Sequence, residues 1–367
     1  MGELKVGDRL FDERGNVCRV TFATGIQFNR PCRRVDFSDG ESIVCDVDHL
    51  WTVHDRYARI NPITLPTVTM ESRCTLPDSQ GRTAHRYRIP LAEPLQLPNA
   101  ELPIDPYALG TWLGDGSCAR SVVTFNEDDA DELERYIETG SESVSWRDWE
   151  HDSHCRAGVM TLTRTRTSFQ ARLRKLGLLN NKHIPRQYLR ASESQRMALL
   201  QGLMDTDGYV DKTGDCEIIV KYPALADDLS ELLASLGIKY GRGEKYVTLD
   251  GKRLGPYQRL YFTAYRDRPV FRLERKRKRL RRRLKSDPMS RVRQITAITP
   301  VPSVPVRCIQ VDSPSSLYLA GRKMVPTHNT TIAETACLWA MLYGHRRCVM
   351  LIGADLDSSM QMLDLSL

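Results

Sequence analysis

The sequence lacks any apolar run of the roughly 18 residues needed to cross a membrane. Its first residues, Met1 to Asp8, also lack the apolar stretch of a secretory signal peptide. None of the ten cysteines forms a Cys-x-x-Cys pair, which argues against zinc and redox motifs and fits thiols in a reducing compartment. These absences predict a cytoplasmic protein with no membrane partner.

What is present is ordinary for a globular protein of two or three domains. The chain has 367 residues, of which 41% are hydrophobic and 27% charged. Its net charge of +7 is modest, but the basic residues are unevenly distributed, which hints at a nucleic-acid partner.

The pattern along the chain changes from strands to mixed helix and strand and back. Short apolar segments separated by Gly, Asn and Asp turns predict an all-β N-terminal part, residues 1–100, ending in a proline-rich connector. Alternating helical and strand-like stretches predict an α/β body over residues 101–288. Residues 289–329 again read as strands. A β module split by an α/β insert is the simplest interpretation, because insertion at a surface loop is tolerated.

The insert contains a degenerate internal repeat. Residues 108–116 and 200–208 each read as a short apolar helix with small residues that ends in Asp-Gly. Small residues let two such helices pack closely, which would place Asp115 and Asp207 side by side. Two carboxylates at such a point form a site for Mg²⁺, which could assist phosphodiester cleavage. A single such helix would more simply be a capped core helix.

These paired motifs resemble those of the LAGLIDADG homing endonucleases, whose two helices carry one catalytic acid each. The resemblance implies cleavage of double-stranded DNA at a long specific site, with Asp115 and Asp207 as catalytic acids that hold Mg²⁺. It also implies a charge-stabilising or proton-handling role for Lys182, which matches the basic residue before the second motif. Both copies depart from the name-giving consensus but keep the acid and the following glycine.

A basic stretch over residues 272–285 supports DNA as the partner. It has no helix breaker, and Leu273, Leu280 and Leu284 form a sparse apolar stripe. Its charges are expected to contact phosphates, which would make binding strongly dependent on salt. A solvated charged face is the alternative interpretation.

The C-terminal part contains a tripeptide that can break its own backbone. In His328-Asn329-Thr330 the asparagine amide can attack its own carbonyl and close a five-membered imide, while His328 protonates the departing nitrogen. Alone, this tripeptide is more simply a polar turn.

Further residues give the tripeptide a context. The segments around His49, Trp51, Cys308 and Thr327 resemble the blocks of class 3 inteins, which use an internal cysteine as nucleophile. The resemblance implies an all-β, horseshoe-shaped Hint splicing domain, with His49 activating the upstream bond and Cys308 attacking it. Thr330 would accept the acyl group and Asn329 would cyclise. A buried structural thiol is the alternative for Cys308.

The chain begins after the first segment that this family carries. With the upstream host segment missing, we expect no splicing, while cleavage between Asn329 and Thr330 persists. Residues 330–367 resemble the start of a phage terminase ATPase, which implies a phage or prophage in a bacterial host cell. Without the preceding Gly-Lys of a phosphate-binding loop, this α/β host fragment should not bind ATP.

The sequence thus predicts a mixed fold: an all-β splicing domain split by a LAGLIDADG endonuclease, acting as a monomer that needs Mg²⁺ for DNA cleavage and no cofactor for splicing. Two alternatives stay open. One is a freestanding nuclease whose β flanks are only scaffold, and the other is a non-catalytic DNA or RNA binder of the same fold.

Overall fold

A computed structural model describes residues 1–77, 81, 83–140, 142–147, 158–163, 168–249, 252–282 and 291–329. The predicted acceptor Thr330 and the predicted terminase-like fragment, residues 330–367, lie outside these ranges. Within them, no helix combines the length and the apolar character required to cross a membrane.

The N-terminal part is built from short strands, as its turn-rich pattern predicts. Its elements are β1 (Arg9–Phe11), β2 (Val17–Ala23), β3 (Cys32–Phe37), β4 (Ser42–Asp46), β5 (Leu50–Asp55), β6 (Ile63–Pro66), α1 (Thr67–Glu71), β7 (Thr75–Pro77), β8 (Thr83–His85) and β9 (Tyr87–Pro90). After the insert the strands resume with β17 (Val292–Val301), β18 (Ile309–Val311), β19 (Leu317–Ala320) and β20 (Val325–His328).

The two ends of the chain share their sheets. A six-stranded sheet has the order β4-β3-β17-β9-β5-β6, so the C-terminal strand β17 lies between two N-terminal strands. A second sheet, β1-β2-β18, also combines the two ends of the chain, with β18 at its edge, and β19 pairs with β20 in a hairpin. Neither half could bury its apolar face alone, because the core around Trp51 includes Ile295 and Val325 from the other half.

The insert between these halves mixes helices with two antiparallel sheets. Its elements are α2 (Pro106–Asp115), β10 (Val122–Phe125), α3 (Glu127–Thr139), β11 (Ser143–Arg147), β12 (Gly158–Thr163), α4 (Phe169–Lys175), α5 (Arg186–Leu189), α6 (Glu193–Thr206), β13 (Gly208–Val210), β14 (Asp215–Val220), α7 (Pro223–Ser235), β15 (Tyr240–Leu249), β16 (Lys252–Thr263) and α8 (Glu274–Arg277). The sheets have the orders β10-β12-β11 and β13-β14-β16-β15.

The repeated helices α2 and α6 pack directly against each other. A Cβ atom added at Gly110 would lie 2.2 Å from the Leu199 carbonyl oxygen, and one at Gly202 would lie 2.2 Å from that of Tyr107. Only glycine allows the backbones to approach this closely. The close pairing predicted from the small residues is therefore confirmed.

The basic stretch over residues 272–285 does not form one continuous helix, although its sequence has no helix breaker. Its described part contains only the four-residue helix α8. Leu273, Leu280 and Lys276 are buried, and the Arg275 guanidinium is paired with Asp129. Because Leu273 and Leu280 pack in the core, part of the stretch lies against the protein. Lys276 and Arg275 therefore contact other residues of the chain instead of being fully solvated.

A buried ion pair anchors the hairpin that leads into β20. The Arg293 guanidinium donates to the Asp39 carboxylate over 2.6 Å, and both side chains are almost fully buried. Arg293 also donates to the carbonyl oxygens of Lys323 and Met324, directly before β20. The Lys323 ammonium in turn donates to the Tyr240 carbonyl of the insert over 3.2 Å.

Replacing Asp39 by alanine should destabilise the β module by about 3–5 kcal/mol, because it leaves the Arg293 charge buried and unpaired. Chemical denaturation followed by tryptophan fluorescence measures this loss. Asp48→Ala is the matched control: Asp48 pairs with Arg30 in solvent, so its removal should cost less than about 1 kcal/mol. Equal losses in the two variants would contradict the prediction.

Two candidate active sites

The first candidate site lies where α2 and α6 end together. Asp115 is the last residue of α2, and Asp207 is the C-terminal cap of α6, its N–H donating to the Leu203 carbonyl over 3.0 Å. The two carboxyl groups are close enough to share a hydrogen bond. The pairing of the helices thus brings together the two acids expected from the repeat.

The proximity of the two acids alters their ionisation. Burial and the charge of Asp115 raise the pKa of Asp207, against the pull of Lys182 and Lys276. Both aspartates nevertheless keep more than a third of their surface open to solvent. Solvent contact weakens the effect of burial on the pKa of Asp207. We therefore attribute the raised pKa mainly to repulsion by the Asp115 carboxylate.

Lys182 lies beside the acids but does not pair with them directly. Its ammonium donates to the carbonyl oxygens of Leu113 (2.9 Å) and Gly114 (2.7 Å) at the end of α2. Burial lowers the pKa of this lysine, while Asp207 and Asp115 act in the opposite direction.

Lys276 occupies the corresponding position at the end of α6. Its ammonium donates to the carbonyl oxygens of Met204, Asp205, Thr206 and Gly208 over 2.7 to 3.2 Å. Burial lowers the pKa of Lys276 to about 8. The sequence predicts only phosphate contacts for this residue, as part of the basic stretch over residues 272–285. Lys276 follows Asp207 in the sequence at nearly the same spacing as Lys182 follows Asp115. This repeated spacing could have identified Lys276 as the counterpart of Lys182.

The acid pair fits a divalent cation. Two neighbouring carboxylates repel each other, and a cation between them would remove the repulsion that raises the pKa of Asp207. The described residues contain no group of three or more His, Cys, Asp or Glu side chains that could hold a metal ion together. Mg²⁺ suits such a pair, because it commonly takes one or two carboxylates and keeps water or phosphate oxygens as its other ligands.

Millimolar Mg²⁺ should raise the thermal unfolding temperature of the chain by about 2–4 °C at about pH 8 and by less at about pH 5. The stronger effect at high pH follows from the raised pKa of Asp207. Below that pKa a proton occupies the carboxylate and competes with the cation, and above it the carboxylate is free to bind. Differential scanning calorimetry measures both shifts. Asp207→Asn should lose the Mg²⁺ effect, whereas Asp131→Asn, an exposed change on α3, should keep it. An equal Mg²⁺ shift in both variants would contradict the assignment.

The second candidate site joins residues from the two ends of the chain. His49 directly precedes β5, and its Nε2 lies 2.5 Å from the Thr327 hydroxyl on β20, across a sequence separation of 278 residues. Burial, and then the neighbouring His328, lower the pKa of His49 to about 4, with Asp46 acting in the opposite direction. His49 is therefore a neutral imidazole at neutral pH.

Trp51 is fully buried behind His49. The two rings meet edge to face with their centroids 5.1 Å apart. The spacing of His49 and Trp51 predicts that they share a side of the strand, and this contact confirms it. The Trp51 indole N–H donates to the Thr67 hydroxyl over 3.0 Å.

Asn329 lies in a buried position at the end of β20. Its backbone N–H donates to the Ser316 carbonyl over 2.7 Å, and its side-chain amide donates to the Val311 carbonyl over 3.4 Å. His328 contacts the Asn329 carbonyl oxygen through Nδ1. Burial lowers the pKa of His328, and the bond to Asn329 opposes this shift.

Cys308 lies just before β18, half-buried. Thr24 holds its backbone: the Cys308 N–H donates to the Thr24 hydroxyl over 3.1 Å, and the Thr24 N–H donates to the Cys308 carbonyl over 3.0 Å. The thiol makes no hydrogen bond to any described residue. Burial raises the pKa of Tyr318, and the charges of Cys308 and Cys45 add to the shift. Tyr318 pairs with Thr327 on β20.

One family model matches the part of the chain that carries the second half of the first site. Residues 194–282 match the model of the LAGLIDADG-like domain. The chain contains a LAGLIDADG-like domain. The matched residues include α6, Asp207 and Lys276, so the second half of the acid-pair site lies within this domain.

Relatives of the chain are replicative helicases by name. The chain is 37% identical over 349 residues to the replicative DNA helicase DnaB of Mycobacterium intracellulare, a match that covers 90% of this chain and 56% of that protein. It is 57% identical over 44 residues to the replicative DNA helicase DnaB of Mycobacterium leprae (strain TN), covering 12% of the chain and 7% of the helicase. The chain therefore spans about half the length of the first of these relatives.

Solved structures with some likeness to the chain are inteins by title. The Msm DnaB1 intein splicing domain bound with zinc aligns with 16% identity and a TM-score of 0.26, covering 90% of this chain and 88% of that one. The MchDnaB-1 intein aligns with 16% identity and a TM-score of 0.24, covering 89% and 87%. Superposition at this level does not establish a common fold.

Proposed function

We propose that the chain is an intein that cleaves its own backbone between Asn329 and Thr330 and carries a Mg²⁺-dependent DNA endonuclease. The observation that carries the self-cleaving part is the His49–Thr327 contact. This contact joins the N-terminal and C-terminal β segments at Thr327, which directly precedes His328 and Asn329. The acid pair at the ends of α2 and α6 supports the nuclease part.

Cleavage uses the side-chain amide of Asn329 as nucleophile. Its nitrogen forms a bond to the Asn329 carbonyl carbon, the bond to the Thr330 nitrogen breaks, and the asparagine becomes a five-membered imide. His328, which is neutral because of its lowered pKa, donates its Nδ1–H to the carbonyl oxygen. In this proposal it polarises that carbonyl, rather than protonating the departing nitrogen as the sequence predicts. The proton lost by the amide passes to the departing amine.

The remaining splicing residues follow from the class 3 resemblance. In that route the Cys308 thiolate takes an acyl group from an upstream segment and passes it to the Thr330 hydroxyl. Cys308 directly precedes β18, whose Val311 carbonyl accepts the Asn329 amide, and thiols are good nucleophiles at neutral pH. His49 would support the upstream step.

The host of the intein follows from its relatives. The downstream segment resembles a terminase ATPase in sequence, whereas the matched relatives are replicative helicases. We favour a helicase host in a bacterial cytoplasm, because the identity to one such protein extends over 349 residues. A terminase host is the second candidate.

In the nuclease, Asp115 and Asp207 would hold the cation, which lowers the pKa of bound water and neutralises charge on the phosphate. Lys182 and Lys276 hold the helix ends in register and place positive charge beside the acids. Their donation to backbone carbonyls keeps these ammonium groups from neutralising the carboxylates directly.

DNA would lie along the sheet β13-β14-β16-β15. Tyr209 and Tyr261 are exposed on it, and Arg259 stacks over the Tyr261 ring at 5.1 Å. Arg259 and Lys245 both pair with Glu217, which fixes their side chains on this surface. Strands of this kind read base edges in the major groove, and their arginines suit guanine.

Mass spectrometry of the purified chain tests the self-cleaving part: incubation at neutral pH should release residues 330–367 and leave an imide at Asn329. A plasmid library with randomised inserts, incubated with Mg²⁺, tests the nuclease part through enrichment of cut sites. If the chain stays intact and the library is bound but not cut, the result would favour a non-catalytic DNA binder.

A further inference from the structure

Thr67, at the start of α1, connects His49 and Trp51 of the second site with the neighbouring Cys45. The residue is completely buried. Its hydroxyl donates to the His49 carbonyl oxygen over 2.9 Å, accepts the Trp51 indole N–H over 3.0 Å, and lies 3.5 Å from the Cys45 sulfur. Its backbone N–H donates to the same His49 carbonyl over 2.9 Å.

These contacts use the full hydrogen-bonding capacity of the Thr67 hydroxyl. A hydroxyl has one hydrogen and two acceptor positions. The hydrogen goes to His49, which leaves the acceptor positions for the Trp51 N–H and the Cys45 S–H. Because each group has one role, the arrangement has a single low-energy geometry.

The arrangement holds His49 from two sides. Thr67 binds the backbone carbonyl of His49 twice, and it sets the orientation of Trp51, whose indole packs edge-on against the His49 ring. The ring then has Nε2 directed at the Thr327 hydroxyl on β20.

We infer that Thr67 is a positioning residue: it aligns His49 with Thr327 and thereby places the strand that carries Asn329 for cleavage. The inference rests on the proposed self-cleaving function. Thr67 lies in the segment whose sequence predicts a proline-rich connector, and it belongs neither to the helix repeat nor to the splicing motifs.

The ionisation of His49 offers a readout separate from activity. The titratable groups that act on it are His328 on β20 and Asp46 at the end of β4. Asp46 is itself paired with Arg30 over 2.7 Å. A change in the position of the His49 ring alters its burial and its distance to both groups, so its NMR titration reports its placement.

The test compares Thr67→Val, which keeps the shape but removes the hydroxyl, with Thr67→Ser, which restores it. We expect Thr67→Val to shift the His49 titration toward the ordinary pKa of about 6.5 and to slow Asn329 cleavage by about 10-fold or more. Thr67→Ser should return both values close to those of the wild type. NMR titration of the full chain in an Asn329→Ala background and a mass-spectrometric time course measure them.

Unchanged His49 titration and cleavage in Thr67→Val would overturn the inference. If that variant does not fold, Trp51→Phe keeps an aromatic ring beside His49 and removes the N–H donated to Thr67. An unaltered His49 titration in Trp51→Phe would then overturn it. A wild-type chain that never cleaves refutes the proposed function instead, while the titration still decides the positioning role.

Discussion

Asn329→Ala should abolish release of residues 330–367. Alanine has no side-chain amide, so the imide cannot form and the bond to Thr330 has no internal nucleophile. Incubation of the purified variant at neutral pH, followed by mass spectrometry, should show only the intact chain.

The matched control is Asn181→Ala. Asn181 also donates its side-chain amide to a backbone carbonyl, that of Gly177, but it is exposed in the insert. We expect this variant to cleave at the wild-type rate. Cleavage at an unchanged position in Asn329→Ala would show that the bond is broken by another nucleophile or by a contaminating protease.

Asp207→Asn should reduce DNA cleavage by at least about 100-fold while DNA binding is retained, a loss typical of removing a residue that handles protons or charge in the reaction. The amide keeps the shape of the side chain but contributes no charge to a cation beside Asp115. Cleavage of a site recovered from the library, measured on gels with and without Mg²⁺, gives the rate. A mobility-shift assay in EDTA gives the binding.

Asp131→Asn separates this effect from a general change of charge. Asp131 is an exposed aspartate on α3, and its replacement changes the net charge by the same amount. Its cleavage rate should match that of the wild type. If Asp207→Asn cuts as well as Asp131→Asn, the acid pair is not catalytic. If neither variant nor wild type cuts any bound DNA, the binding-module alternative is favoured.

The acid pair could be predicted because it depends on local patterns. Each copy of the repeat has small residues on one side and an aspartate at its end, and two such helices can pack closely in only a few ways. The pairing of α2 and α6 through Gly110 and Gly202 follows from those residues.

Lys276 could not be identified as an interior residue from its neighbours in sequence. It stands among nine other basic residues in the 272–285 stretch, a composition that predicts a solvated surface. Burial of Leu273 and Leu280 draws the stretch toward α6, where four backbone carbonyls hold the ammonium. This outcome depends on a contact between distant parts of the chain.

The role of Thr67 could not be predicted from the sequence, for a similar reason. It follows Pro66 in a segment rich in proline and threonine, and a lone threonine carries no pattern. Its importance appears only when β5 and β6 pair and bring its hydroxyl to His49 and Trp51.

The sequence by itself determined the alternation of β and α/β segments, the repeated acid-bearing helices and the Asn329 tripeptide, because these are features of neighbouring residues and of periodicity. Tertiary structure alone decided that β17 and β18 complete the N-terminal sheets, that Lys276 mirrors Lys182, and that Thr67 holds His49 opposite Thr327. The physical reason is that hydrogen bonds and burial join groups hundreds of residues apart, and no local pattern encodes which partners will meet.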